Sequence, residues 1–332
     1  MPSVASIMTD ISSDDMSDDA VHSIGMSHTF RHIISTMRLI DNDFTILDLP
    51  CYYDAEHASR MIDELDYHDI LFINHAVMLR EETTYDRLRS KSDFIVLYPY
   101  DPPITFLLTR GSHKLASDVA RSLIESGAFI PVMYSDYVMF MSICGNARKI
   151  VNPPIHVDVI KDIYHRSETI KTKDVISYIG FGGNGFRLMK HVPVISKFSD
   201  RRVHIYRSSG SQNVVDFLSS TYDNLIVHEQ EGLDDFVRTV AMCEFMVVPC
   251  SFDTAISPIA ISACVRTPVF SVYSNYYARE IYSDLMISNL DDIDVNRIGS
   301  NTIDDAYSSV DKFSCSSVAQ RISDMYRRKK KV

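Results

Sequence analysis

Four of the chain's 11 glycines fall within six residues, at Gly180, Gly182, Gly183 and Gly185. They follow the apolar run Val175–Ile179 and precede a helical pattern. Gly180, Gly182 and Gly185 satisfy G-x-G-x-x-G in the strand, turn and helix context that this spacing requires. Glycine lets a backbone approach a diphosphate closely, and a helix N-terminus adds free N–H donors and a positive dipole end. The bland reading of the same run is a tight strand-to-helix turn without a ligand. In the dinucleotide fingerprint an acidic residue ends the second strand and holds ribose hydroxyls. Here the strand Val203–Tyr206 ends in Arg207-Ser208-Ser209-Gly210. An arginine there suits either a ribose 2′-phosphate or the diphosphate of a nucleotide sugar. The segment therefore implies a phosphate site, built from Gly182, Gly183, Gly185 and Arg207, without naming its ligand.

Two other places could do chemistry. A buried-strand pattern, Phe245–Val248, ends at Pro249 and is followed by Ser251, Asp253 and Thr254, then by a helix of small and apolar residues, then by Thr267-Pro268-Val269. Nearer the N-terminus, the run Phe94–Tyr98 is followed by Asp101, Pro102 and Pro103. A carboxylate just beyond a strand's C-terminal end can take a proton from an acceptor hydroxyl. It can equally open a turn with the prolines. His75, after the run Ile70–Asn74, and His113, near a helix start, are alternative bases. No HExxH or paired His/Cys set occurs, and the lone H-x-x-x-H spacing of His28 and His32 brings no third ligand with it, so no metal is expected. No G-x-S-x-G elbow or P-loop occurs, which disfavours serine hydrolases of that type and P-loop kinases.

These residues need elements to position them. Strands are expected at Phe44–Leu49, Ile70–Asn74, Phe94–Tyr98 and Phe129–Met133, with helices at about 28–39, 54–65, 79–91, 113–126 and 135–143. A second series follows, with strands at Val175–Ile179, Val203–Tyr206, Leu225–Val227, Phe245–Val248 and Val269–Val272 and helices at about 185–197, 212–220, 232–242 and 255–265. A last helix is expected from about 315 to 330. Strands alternating with helices of this length imply parallel sheets covered on both faces. The fold class is α/β, with two Rossmann-like domains facing a central cleft. The expected boundaries are an acidic disordered tail at 1–25, a first Rossmann-like domain at 26–152, a linker at 153–173, a second Rossmann-like domain at 174–312 and a C-terminal helix with a basic tail at 313–332. The length of 332 residues accommodates two such cores.

Charge is uneven. Residues 1–150 hold 12 Lys and Arg against 22 Asp and Glu, whereas the remainder holds 21 against 22. The first half repels polyanions, and the second has cations to spare for a phosphate. The run Arg327, Arg328, Lys329, Lys330, Lys331 reads as a solvated helix end or as a contact with an anionic surface. No apolar run approaches a membrane span, and no signal-peptide pattern opens the sequence. The six scattered cysteines read as free thiols in a reducing compartment, so a cytoplasmic location is expected.

The segment Phe245 to Val269 resembles the donor site of GT-B glycosyltransferases. That superfamily reads strand, Pro-Ser-x-x-Glu, helix, then Glu-Ala-x-x-x-Gly-x-Pro-Val. Pro249, Asp253 and Pro268-Val269 match in place, with Asp for Glu. The superfamily's second Glu falls on Ile261, its Gly on Arg266, and Ala263 lies one position beyond its Ala. The resemblance extends over residues 175–275. A fainter similarity to phage DNA β-glucosyltransferases covers Phe94 to Phe106, where that group's general base corresponds to Asp101. The resemblance implies a metal-independent, hexosyltransferase-like enzyme that uses a nucleotide sugar such as a UDP-sugar and needs no further cofactor. It implies donor contacts at Ser251, Asp253 and Thr254 besides the glycine segment, where Asn184 or, slightly shifted, Arg187 stands at the superfamily's Lys or Arg. The implied acceptor is a glycan, a small molecule or modified DNA. The alternatives are an NADP-dependent Rossmann oxidoreductase and a GT-B-like binding protein that has lost catalysis.

Overall fold

The computed structural model describes residues 1–8, 26–48, 55–74, 84–98, 113–131, 134–179, 188–207, 212–229, 232–249, 256–272 and 276–331. The chain divides into two compact units.

The first unit takes in β1 (Val4–Met8), the stretch Thr29–Pro154 and the C-terminal stretch from Cys315. Its sheet runs β2-β1-β3-β4-β5, with β2 at Thr45–Asp48, β3 at His68–Asn74, β4 at Ser92–Tyr98 and β5 at Ala128–Phe129. Every pairing is parallel. Strand β1 overturns part of the tail expected at 1–25. All five of its residues are buried, and it lies between β2 and β3 inside the sheet. A strand covered on both faces reads as a short apolar run. Here Val-Ala-Ser-Ile-Met is that run, while the five Asp of the segment begin only at Asp10.

Side chains alternate across this sheet and build two apolar layers. Leu71, Ile73, Ile95 and Leu97 face one layer, with Phe129 stacked on Phe140 at 4.7 Å between ring centroids. Ile70, Phe72, Phe94 and Val96 face the other, where Ile33 and Met37 of helix α1 (Met26–Ile40) pack. The C-terminal helix Cys315–Lys329 adds Val318, Ala319, Ile322 and Tyr326 to that second layer. It therefore belongs to the first unit rather than standing apart. Each such fully buried large apolar side chain contributes roughly 1.5–3 kcal/mol.

The second unit takes in Ile155–Ser314 and the stretch Val21–His28, of which residues 26–28 are described. Its strands are β6 (Val175–Ser177), β7 (Val203–Tyr206), β8 (Leu225–His228), β9 (Phe245–Val248), β10 (Val269–Val272) and β11 (Met286–Ile287). They run β11-β10-β9-β6-β7-β8, again all parallel. Counted from β6, this is the order 3-2-1-4-5-6 of dinucleotide-binding sheets read from the other edge. The expected linker at 153–173 instead holds a helix, Val157–Arg166, whose Val157, Ile160 and Ile163 lie one face apart and are buried. Its polar residues had hidden that spacing.

A helix at Ile256–Cys264 leads through Arg266 into β10, and Arg266 has φ 58°. The GT-B pattern has its Gly at this position. The left-handed backbone explains why a residue without a Cβ is favoured there.

Candidate functional site at the carboxyl ends of the strands

In an open parallel sheet, ligands bind beyond the carboxyl ends of the strands where the strand order reverses. In the second unit that point lies between β6 and β9. They pair directly, with Ser177 opposite Val247, and the Tyr178 N–H donates to the Val247 carbonyl at 2.9 Å. The glycine segment follows β6 in sequence, and Ser251, Asp253 and Thr254 follow β9. Gly182, Gly183, Asn184, Gly185, Arg187, Ser251, Asp253 and Thr254 themselves lie outside the described residues. The strands that precede them end side by side.

Arg207 is described. Its backbone N–H donates to the His228 carbonyl at 3.0 Å, which extends the β7–β8 ladder by one residue. Its guanidinium donates to Gln212 Oε1 and Glu229 Oε1. The Arg207 side chain is 18% exposed and that of Glu229 75%. The cation is thus held at the carboxyl edge by a carboxylate that water largely solvates.

Beneath this edge lie two histidine assemblies that the sequence reading missed. Ser177 Oγ and His191 Nδ1 are 2.8 Å apart, and both residues are fully enclosed. Burial pushes the His191 imidazole down to about 3, so it is neutral at physiological pH. On the neighbouring strands, His204 Nδ1 lies 2.8 Å from His228 Nε2, and His204 Nε2 lies 3.3 Å from Asp174 Oδ2. Burial acts to raise the Asp174 carboxyl. Hydrogen bonds from Arg202, His204 and Thr172 outweigh it and hold the group below its usual range. The available signal was a histidine inside an apolar strand run, Val-His-Ile-Tyr. It has meaning only once the β7–β8 register is known.

In the first unit, β3 and β4 end together, with Asn74 opposite Tyr98. His75 follows the first and Asp101 comes three residues after the second; both lie outside the described residues. His113 is the first residue of the helix His113–Glu125. Among the described residues no group of three or more His, Cys, Asp or Glu side chains converges to hold a metal. Among the same residues no helix is long and apolar enough to cross a membrane.

Two parallel α/β sheets of these orders are the architecture of GT-B glycosyltransferases, and the chain has that fold. It is similar to sucrose-phosphate synthase from Thermosynechococcus elongatus, with a TM-score of 0.67 at 10% identity over 98% of each chain. It is also similar to Anabaena HepE in complex with UDP, with a TM-score of 0.65 at 7% identity over 98% of this chain and 100% of that one. A third likeness is to AviGT4, a glycosyltransferase involved in avilamycin A biosynthesis, with a TM-score of 0.59 at 10% identity over 98% of each chain. No protein-family profile matches the sequence, and no curated protein does.

Proposed function

We propose that the protein is a glycosyltransferase that moves a sugar from a nucleotide-sugar donor to a hydroxyl acceptor. One observation carries the reading: β6 and β9 are neighbours where the sheet order reverses, so the glycine segment and the Ser251–Thr254 segment follow adjacent strand ends. The fold shared with HepE, which has been captured with UDP and with UDP-glucose, supports a diphosphate ligand there.

In this reading the amides of Gly182–Gly185 and a helix N-terminus neutralise the leaving diphosphate, with Arg187 and Arg207 alongside. Asp253, with Ser251 and Thr254, takes hydroxyls of the sugar or ribose. Asp101, or else His75 or His113, receives the acceptor's proton. Fixed dipoles and guanidinium groups carry the charge that a metal carries elsewhere, so transfer is metal-independent in this reading, and the fold shared with UDP-glucose-bound HepE favours a hexosyl donor. Four described cysteines, Cys144, Cys243, Cys264 and Cys315, are free thiols, which supports a cytoplasmic location.

Thermal denaturation with UDP, UDP-glucose, uridine and NADPH tests the proposal. UDP at ~100 Kd stabilises by about 2.7 kcal/mol, and uridine by clearly less. Stabilisation by NADPH without any by UDP replaces the reading with an NADP-dependent oxidoreductase. Hydrolysis of UDP-glucose by water then reports on the base. Asp101→Asn lowers it by ~10²–10⁴ with donor binding retained, and unchanged turnover moves the role to His75 or His113.

A further inference from the structure

At the opposite edge of the first sheet, where β4 and β5 begin, lies a groove of about 580 Å³. Phe94 and Gly127 floor it, and Arg148, Lys149, Arg321, Arg328 and Lys329 line it. Three of these cations are fixed by carbonyls. Lys149 Nζ donates to the carbonyls of Ile124 and Ser126, Arg321 to that of Arg148, and Lys329 to that of Asp93. A carbonyl positions a cation without neutralising it. Among the described residues none of the five makes an ion pair, whereas Arg327 and Lys330 beside them pair with Asp324 and Asp69. Among the described residues that line the groove the one carboxylate, Glu125, is taken by Arg89 at 2.6 Å. Burial above all, with the nearby charges of Arg89 and Lys149, lowers the affinity of Lys329 for its proton against the opposing pull of Asp93. Arg148 and Lys149 come from the acidic residues 1–150 and the other three from the C-terminal helix, so like charges crowd together on a unit whose remaining residues carry an excess of Asp and Glu.

We propose that this groove binds a compact anion with clustered phosphates, either free as an oligophosphate or presented as a multiply phosphorylated lipid headgroup. Guanidinium forks match the paired oxygens of phosphate and carboxylate alike, and five cations without a carboxylate partner favour a group that concentrates several negative charges, as clustered phosphates do. The groove is concave and drug-sized, which favours a discrete group over a flat charged surface. The acidic field of the surrounding unit repels an extended polyanion but is overcome locally by five cations. The site stands at the edge where the strands begin, away from the edge that precedes His75 and Asp101, and does not rest on the proposed transfer reaction.

Calorimetric titration of the full chain with tripolyphosphate tests one source. Sedimentation with phosphatidylcholine vesicles containing phosphatidylinositol bisphosphate tests the other. Arg148 and Arg328 are exposed, so Arg148→Ala/Arg328→Ala is expected to fold, as its thermal unfolding will show. The double variant weakens whichever binding occurs by at least about tenfold, and Arg327→Ala, off the groove, leaves it unchanged. Binding to tripolyphosphate alone assigns a soluble ligand, to the vesicles alone a headgroup, and to both a site for either. Absence of both, equal binding by the double variant, or equal binding to phosphatidylserine vesicles of matched charge overturns the proposal.

Discussion

His204 and His228 face each other across β7 and β8 with ring nitrogens 2.8 Å apart and ring centroids 5.1 Å apart. The contact, with Asp174 at one end, fixes the tautomers. His204 Nε2–H donates to the Asp174 carboxylate, so His204 Nδ1 accepts from His228 Nε2–H. The line runs from the start of β6 to the end of β8, where the His228 carbonyl accepts from the Arg207 N–H. Asp174→Asn removes the charge that favours protonated His204 and leaves Arg202 without its carboxylate. Loss of about 1.5–3 kcal/mol in urea unfolding is expected, as for a hydrogen bond to a charged group. The His204 imidazole, already lowered by burial, should titrate lower still by NMR. An unchanged His204 titration removes the coupling.

His191 makes stability depend on pH with a definite sign. Its folded form titrates at about 3, against 6.5 for an ordinary histidine. Below about pH 6.5 the unfolded chain takes up a proton that the folded chain refuses. Stability therefore falls as the pH drops, by about 1.4 kcal/mol per pH unit for this one group. His156, pushed down by burial to about 4, adds to the slope above that pH. His191→Gln keeps a partner for Ser177 but cannot titrate. Urea unfolding at pH 7, 6 and 5 should show its slope flatter by one proton. An identical slope removes His191 as the source.

Arg266 carries strain that two contacts offset. Its left-handed backbone costs roughly 1–2 kcal/mol in an L-residue. Its guanidinium meets Asp304 at 2.6 Å and lies 4.5 Å from the centre of the Tyr307 ring. Arg266→Ala loses both contacts and keeps the strain, whereas Arg266→Gly loses the same contacts and releases it. The Gly variant should be the more stable of the two by about 1 kcal/mol, the reverse of the usual order inside regular structure. Urea midpoints decide it, and an Ala variant at least as stable as the Gly variant contradicts the strain.

Strands Val203–Tyr206, Phe245–Val248 and Val269–Val272 were legible to the residue, because each is an apolar run between polar or turn-forming neighbours. β1 was not, because acidic neighbours dominate the composition around it. β11 has only two residues and no pattern of its own. The two segments of the proposed donor site stand out as motifs, but the pairing of β6 and β9, the strands that precede them, does not. Sheet order is a non-local property, and nothing between Ser177 and Phe245 says that β6 and β9 pair. The same holds for Ser177 with His191 and His204 with His228, which are brought together by register rather than by any local spacing.

Arg207 and Glu229 provide the sharpest test of the donor site. Their ion pair is mostly solvated on the Glu229 side, so it is worth at most about 1 kcal/mol. Under the proposed function, a diphosphate at the carboxyl edge would compete with Glu229 for the same guanidinium. Glu229→Gln removes the competing charge and keeps an oxygen that can hold the arginine in place. UDP should then bind up to about fivefold more tightly. Arg207→Ala removes the cation, and UDP binding should weaken by about tenfold or more. Arg207→Lys should recover only part of the loss, because an ammonium lacks the paired donors of the fork. Calorimetric titration of UDP into the three variants reads all of this, with thermal unfolding as the check on folding. UDP affinity unchanged in both Arg207→Ala and Glu229→Gln makes Arg207 a tie between β7 and β8 and removes it from the donor site.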